Sequence, residues 1–128
     1  MSFRMEHVAL WCRDLERMRR FYQDLFGCAA SAPYANAQTG FSSCFLSFPN
    51  GGRLELMRSA SHDAPQDARH LGFAHLALSV GSPERVDEWT RQLESRGVAI
   101  ESPPRRTGDG YYESVVLDPE GNRIEIVA

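Results

Sequence analysis

Apolar and polar residues alternate along short stretches of this chain, and two longer stretches carry apolar residues at helical spacing instead. The first helical pattern covers residues 14–26, between Asp14, which suits a helix N-cap, and Gly27, which suits a helix end. The second begins after Ser82, with Pro83 in its first position. The alternating stretches predict strands over residues 3–12, 28–34, 40–48, 53–58, 73–80, 98–101, 111–117 and 123–127.

Parts of the first half of the chain return in the second half. The segment His7-Val8-Ala9-Leu10 recurs 68 positions later as His75-Leu76-Ala77-Leu78, and residues 49–56 recur 70 positions later as residues 119–126. Several matches in one order indicate a duplicated unit.

The duplication predicts an α+β fold of two tandem βαβββ modules that form a curved mixed sheet within a single domain, residues 1–128. The modules cover about residues 3–58 and 73–127, and a polar loop, residues 59–72, lies between them. A second polar stretch, residues 102–110, also reads as a loop. Because a sheet with one helix cannot bury both of its faces, two modules must combine, within one chain or between chains.

We expect the helical aromatic residues to belong to the core rather than to a cofactor site. On the second helix, Val86, Trp89 and Leu93 share one face. In the first helix the corresponding residues are Phe21, Tyr22 and Phe26.

Charge and composition exclude several classes of protein. The 128 residues carry a net charge of −3, which argues against a basic nucleic-acid-binding protein and against a polybasic membrane patch. All 14 basic residues are arginine, which excludes a Schiff-base lysine and a Walker-type phosphate lysine. The sequence shows neither a signal-peptide pattern nor an apolar run long enough to span a membrane, so we expect a cytoplasmic protein.

The three cysteines, Cys12, Cys28 and Cys44, form no CxxC pair. We expect small buried side chains in a reducing compartment, with a catalytic thiol as the alternative.

Four residues with metal-ligating side chains occupy equivalent points of the two modules: His7 and Glu55 in the first, His75 and Glu125 in the second. Strand alternation places each of them on the face opposite the predicted helix. Taken singly, a strand histidine or glutamate is usually a core or solvated residue. Their duplication instead favours a shared site.

Two imidazoles and two carboxylates that converge on one face suit a divalent metal ion. The donor set is compatible with zinc, nickel, iron or manganese.

Further residues are candidates for binding a substrate. Trp11 shares the predicted face of His7 and is interpreted as a wall of the cavity, with simple packing as the alternative. Tyr111, with Tyr112 and Glu113, begins a strand that could line the pocket or form an ordinary edge. The two adjacent arginines, Arg105 and Arg106, could meet an anionic substrate or remain solvated. His62 and His70, which are not duplicated, are interpreted as solvated.

These motifs together resemble the vicinal oxygen chelate superfamily, which contains glyoxalase I, bleomycin-resistance proteins and extradiol dioxygenases. The resemblance covers nearly the whole chain. The segments that carry it, besides the histidine strand at His7, are Asp14-Leu15, Phe21-Tyr22, Leu25-Phe26-Gly27, Arg53-Leu54-Glu55-Leu56, Gly72-Phe73-Ala74-His75-Leu76-Ala77 and Asp118-Pro119-Glu120-Gly121-Asn122-Arg123-Ile124-Glu125.

The order His, Glu, His, Glu is most similar to that of glyoxalase I (lactoylglutathione lyase). The resemblance implies that His7, Glu55, His75 and Glu125 bind one divalent metal ion per site, with zinc or nickel favoured, and that no nucleotide is used. It implies a hemithioacetal of methylglyoxal and glutathione as substrate, with Glu125 as the first candidate for the catalytic base and Glu55 as the second. It also implies a homodimer with sites at the interface.

The sequence departs from this pattern where glyoxalase I enzymes hold glutathione. Trp11 stands where the family has an arginine, Ser59 where it has an asparagine, and Arg105 or Arg106 would replace a lysine. A different substrate for the same metal chemistry is therefore an alternative.

Other members of the superfamily offer further alternatives, namely an acyl-thioester epimerase, an extradiol dioxygenase, a fosfomycin-resistance transferase or a metal-free drug-binding module.

Overall fold

The computed structural model describes residues 2–67 and 69–128 and divides the chain into two compact units, Met1–Asp67 and Ala68–Ala128. Each unit contains one helix and one mixed sheet, which confirms the predicted α+β class. The first unit comprises β1 (Val8–Trp11), α1 (Leu15–Phe26), β2 (Ala29–Ala30), β3 (Tyr34–Asn36), β4 (Phe41–Ser47) and β5 (Arg53–Arg58). The second comprises β6 (His75–Ser79), α2 (Pro83–Ser95), β7 (Ile100–Arg106), β8 (Tyr112–Leu117) and β9 (Arg123–Val127).

The sheet of the first unit has the strand order β1-β5-β4-β2, and β3 also pairs with β4. Strands β1 and β5 run parallel, and the other pairs are antiparallel. Asp14 caps α1 by accepting a 3.0 Å hydrogen bond from the Arg17 amide, and Gly27 ends the helix with φ +70°. The fully buried side chains of this unit lie on α1 and on alternate positions of β4 and β5, and the largest are Tyr22, Met18, Leu46, Leu54 and Leu56.

The second unit repeats this plan with the strand order β6-β9-β8-β7, in which β6 and β9 run parallel. Ser82 caps α2 by accepting a hydrogen bond from the Arg85 amide. The core lies between α2 and alternate positions of the strands, and it includes Val86, Leu93, Val116, Ile124 and Ile126.

The prediction that Trp89 belongs to this core is wrong, because Trp89 is 36% exposed and Thr90 is buried instead. The hydroxyl of Thr90 can enter the core because it donates to the Val86 carbonyl at 2.6 Å and lies 2.7 Å from the Ser114 hydroxyl.

Strand β7 continues to Arg106, whereas the sequence predicts a loop from residue 102. Its Pro103-Pro104 pair has no backbone N–H to donate, which is tolerated because β7 lies at the edge of its sheet. The pairing of β7 with β8 also shifts register between Ile100 and Ser102 and again between Ser102 and Arg105. The edge position and these irregularities explain how the strand passes through a proline pair.

Several other boundaries also differ from the predicted ones, and β6 begins at His75 instead of residue 73. Strand β1 begins only at Val8, and the single strand predicted over residues 28–34 is divided into the short strands β2 and β3. In the loop between the units, Ala68 lies outside the described residues.

Candidate metal centre

In the first unit, His7 and Glu55 lie next to each other on the face of the sheet opposite α1. His7 precedes β1, and Ala9, two residues further on, pairs with Glu55 on β5. The Nε2 atom of His7 lies 3.4 Å from Oε1 of Glu55, whose side chain is 17% exposed. A carboxylate this strongly buried is stable only with a partner, and His7 supplies one.

The second unit contains the same arrangement at the same register. His75 begins β6, and Ala77, two residues further on, pairs with Glu125 on β9. The Nε2 atom of His75 lies 2.7 Å from Oε1 of Glu125, whose side chain is also 17% exposed. The four predicted ligands therefore occur as two matched pairs, one in each unit.

The donor atoms of each pair fit the coordination of a divalent cation. Two ligands bound to one ion at about 2.1 Å are separated by roughly 3.0–3.4 Å in octahedral or tetrahedral geometry. The nitrogen–oxygen distances of 3.4 and 2.7 Å are close to this range. Each pair could thus supply two ligands, although the described residues bring no group of three or more His, Cys, Asp or Glu side chains together for a metal ion.

In the first unit, contacts with Glu6 and Phe45 orient His7. Its Nδ1 atom lies 3.2 Å from Oε1 of Glu6, and the edge of its ring meets Phe45 at a centroid distance of 5.1 Å. Arg53 binds the same Glu6 carboxylate and stacks over Phe45 at 4.1 Å. If Nδ1 donates its proton to Glu6, Nε2 carries the lone pair that a metal ion needs.

In the second unit, Glu113 adds a second acidic side chain to the face of Glu125. A hydrogen bond with Glu125, together with burial, raises the pKa of Glu113 to about 7, while the charges of Arg105 and His75 act in the opposite direction. Two neighbouring carboxyl groups share a proton because both cannot readily carry charge. Strand alternation on β8 indicates the face on which Glu113 lies, but only the fold shows that Glu113 contacts Glu125.

The predicted substrate-binding residues of the second unit lie in different places. Arg105 pairs in register with Glu113 and acts on it electrostatically. Arg106 lies over the Tyr112 ring, whose hydroxyl donates to Asp87 of α2, so Arg106 lies on the α2 face. Tyr111 is exposed in the turn that precedes β8.

In the first unit, Trp11 shares the face of His7 and Glu55, as strand alternation predicts, and its register partner is Met57. Its indole is stacked on His62 at a centroid distance of 3.8 Å and an interplanar angle of 8°. The interpretation of His62 as a merely solvated residue is therefore incomplete, since it has a defined ring partner. No local pattern signals this contact, because His62 belongs to a loop without periodicity.

The remaining chemistry-bearing features lie away from these faces. All three cysteines are buried, and burial raises the pKa of the Cys28 thiol to about 11 and also raises that of Cys44, which disfavours a reactive thiolate. A cavity of about 330 Å³ opens in the second unit between α2 and β7, lined among others by Asp87, Pro103 and Tyr112. Tyr112 places this cavity on the α2 face of the sheet, away from Glu125.

Within residues 2–67 and 69–128, no helix combines the length and the apolar character that crossing a membrane requires.

The family to which the chain belongs follows from its sequence. Residues 4–126 match the family model of the glyoxalase/bleomycin resistance protein/dioxygenase superfamily, and the chain belongs to this superfamily.

Individual relatives are distant. The chain is 26% identical over 130 residues to the uncharacterized protein YqjT of Bacillus subtilis, with 97% of this chain and 98% of that protein aligned. It is 27% identical over 149 residues to glyoxalase I of Saccharomyces cerevisiae, with 96% of this chain but only 44% of the yeast protein aligned. It is 24% identical over 121 residues to the mitochondrial methylmalonyl-CoA epimerase of Bos taurus, with 91% of this chain and 67% of that protein aligned.

Solved structures show the same fold. A glyoxylase/bleomycin resistance protein/dioxygenase domain from Frankia superimposes with a TM-score of 0.84 at 20% identity, covering 99% of this chain and 92% of that one.

Proposed function

We propose that this protein is a metal-dependent lyase or isomerase of the glyoxalase type. The observation that carries the proposal is the repeated pair of a histidine and a buried glutamate at one register, His7 with Glu55 and His75 with Glu125. We propose these four residues as ligands of a divalent metal ion, with zinc or nickel favoured and iron or manganese as alternatives. When bound, the metal would act as a Lewis acid toward negative charge on a substrate oxygen.

The proposed substrate is the hemithioacetal that methylglyoxal forms with a thiol such as glutathione. The reaction moves one proton from the carbon that bears sulfur to the neighbouring carbon, and the hydroxyl proton passes from one of the two vicinal oxygens to the other, so no external oxidant or reductant is required. We propose that a carboxylate oxygen of Glu125 removes this proton and returns it to the neighbouring carbon, with Glu55 as the second candidate. Both side chains are only 17% exposed, which limits exchange of the proton with solvent.

The residues proposed to hold the substrate are Trp11, Arg105, Arg106 and Tyr111. Trp11 lies on the face of the first pair, and Arg105 lies beside Glu113 in the second unit, where it could attract an anionic group. Tyr111 and Arg106 stay candidates by sequence alone, since Arg106 packs on Tyr112.

Metal analysis combined with an activity assay tests the proposal. We expect the purified protein to bind about one nickel or zinc ion per site and to convert methylglyoxal in the presence of glutathione. Glu125→Gln should lower kcat at least about 100-fold, the usual effect of removing a general base, while some metal stays bound. Glu88→Gln, on the exposed side of α2, is the matched control.

The possible results separate the parts of the proposal. Absence of both metal and activity would contradict the lyase, and unchanged turnover in Glu125→Gln would contradict its role as base. If the protein bound metal but its turnover did not depend on glutathione, the proposed metal site would stand. Glutathione would then be excluded as the thiol of the substrate.

An acyl-thioester epimerase is the second candidate. It also moves a proton next to a carbonyl group, and the bovine relative carries the name of such an enzyme. Trp11 favours a substrate other than a glutathione adduct, because an indole cannot pair with a carboxylate as an arginine does. Turnover of a racemisable acyl thioester, without turnover of methylglyoxal, would select this candidate. A dioxygenase would require iron and oxygen consumption, and a metal-free binding module would show no tight divalent cation.

We further propose a cytoplasmic homodimer whose sites combine ligand pairs from two chains and bind a small molecule rather than nucleic acid or membrane. The buried thiols suit a reducing compartment. Large apolar side chains are exposed at equivalent points before β1 and β6: Phe3, Met5, Leu71 and Phe73.

Light scattering and a mixing experiment test this arrangement. The single variants His7→Ala and His75→Ala should each be inactive and should regain part of the activity when they are unfolded and refolded together. Sites formed within one chain would show no such recovery.

A further inference from the structure

A cluster of three rings and one thioether, which we call the Trp11 platform, lies on the sheet face that carries His7 and Glu55. It consists of Trp11, Phe41, Met57 and His62. The rings of Phe41 and Trp11 meet edge-on at a centroid distance of 6.2 Å. Met57 on β5 is the register partner of Trp11 on β1. Trp11 nevertheless stays 43% exposed. A tryptophan this exposed, on the sheet face that carries His7 and Glu55, offers an aromatic surface to a ligand.

Hydrogen bonds hold the imidazole of His62 in its stacked position. The Ser61 hydroxyl lies 3.0 Å from Nδ1 of His62, and Ser59 lies 3.0 Å from Ser61. The next residue, Asp63, accepts two hydrogen bonds from the guanidinium of Arg13 at its carbonyl oxygen. These bonds tie the loop that carries His62 to the residues just after β1. His62 therefore covers one face of the Trp11 indole and maintains its orientation.

We propose that the second face of the Trp11 indole binds a flat, uncharged ring of the substrate, and that His62 positions the indole for it. Trp11 contacts the rings of Phe41 and His62, and its register partner Met57 has a thioether. This surface therefore suits the flat face of a ring rather than an anion. This inference rests on the proposed function, because the ring must belong to the molecule that reaches the His7–Glu55 pair.

The spacing along the strands limits where the ring can be attached. Met57, the partner of Trp11, lies two residues beyond Glu55 on β5, which corresponds to about 7 Å. A ring bonded directly to a carbon that bears one of two vicinal oxygens, or one bond further away, spans this distance. The platform therefore favours an aryl-substituted compound with oxygens on adjacent atoms over the hemithioacetal of methylglyoxal, which carries a methyl group instead of a ring.

Two hydroxamates test the platform separately from the metal. Acetohydroxamate and benzohydroxamate present the same pair of vicinal oxygens and differ by a methyl group and a ring. Their affinities for the nickel-loaded protein would be measured by calorimetry. We expect benzohydroxamate to bind about ten-fold more tightly, the effect of one aromatic stack.

Substitutions then assign the difference to the platform. Trp11→Ala should reduce the ratio of benzohydroxamate affinity to acetohydroxamate affinity to about one. A far-ultraviolet circular dichroism spectrum equal to that of the unsubstituted protein would show that the variant is folded. Trp11→Phe should retain part of the ratio, and His62→Ala should lower it. Trp89→Phe, on α2 of the other unit, is the control and should have no effect. A ratio near one in the unsubstituted protein, or an unchanged ratio in Trp11→Ala, would overturn the proposal.

Failure of the proposed function would look different. If the protein took up no nickel and bound neither hydroxamate, the metal site would be refuted. The platform would then be tested in the Trp89→Phe protein, in which benzamide should quench Trp11 fluorescence and acetamide should not. Equal effects of the two amides would overturn the platform itself.

Discussion

The buried hydroxyl pair between α2 and β8 allows a quantitative test of the fold. Thr90 and Ser114 are 4% and 0% exposed, and their hydroxyl oxygens are 2.7 Å apart. Thr90 uses its proton to donate to the Val86 carbonyl at 2.6 Å. Ser114 must therefore be the donor in the bond between the two hydroxyls.

This direction makes the two single substitutions unequal. Thr90→Val removes the acceptor and leaves the Ser114 donor buried without a partner, which should cost about 2 kcal/mol of unfolding free energy. Ser114→Ala removes the donor but leaves the bond from Thr90 to Val86 intact, and should cost about 1 kcal/mol. The double variant should lose about 1 kcal/mol less than the sum of the two, because no orphaned hydroxyl is left.

Urea unfolding of the four proteins, followed by far-ultraviolet circular dichroism, measures these values as a double-mutant cycle. Losses that add to within about 0.4 kcal/mol would refute a direct bond between the hydroxyls. A larger loss for Ser114→Ala than for Thr90→Val would refute the assigned direction of donation.

Three further predictions follow from other parts of the structure. Leu56→Ala should lower the unfolding free energy by about 3 kcal/mol, as measured by urea unfolding, because Leu56 is fully buried; a loss below about 1 kcal/mol would contradict its core position. The Cys28 thiol has a pKa of about 11, so at pH 8 only about one part in a thousand is thiolate. Cys28 in the native protein should therefore react slowly with a disulfide reagent, whereas the protein unfolded in guanidinium should react rapidly. Fast labelling of native Cys28 would contradict this burial. Glu6→Ala should weaken nickel binding about ten-fold in a competition assay with a chelator, because His7 loses the acceptor at Nδ1; an unchanged affinity would exclude the orienting role of Glu6.

Periodicity in the sequence was sufficient to predict most of the elements. The helical stripe of α1 and its two caps agree with the structure, as does β5 from Arg53 to Arg58. The alternation of Leu54, Glu55 and Leu56 also predicts that the two leucines point into the core and that the glutamate points away from it. These features depend on the spacing of residues close together in the chain, and that spacing is visible without a fold.

Elements whose environment depends on distant partners were predicted less well. Strand β7 contains two prolines, so its sequence resembles a loop, and only its edge position beside β8 makes it a strand. Trp89 has the spacing of a core residue, but the packing of α2 on its sheet buries Thr90 in its place. In both cases a neighbour far along the chain decides the outcome.

The sequence by itself determined the duplication and, through it, the four candidate ligands His7, Glu55, His75 and Glu125. Only the tertiary structure decided that each histidine lies beside its glutamate, that Glu113 contacts Glu125 and that His62 stacks on Trp11. The physical reason is that strand alternation assigns a side chain to a face, whereas its neighbours on that face come from the register between strands and from the course of loops. Register joins residues about 50 positions apart, and no local pattern encodes a loop contact such as that of His62.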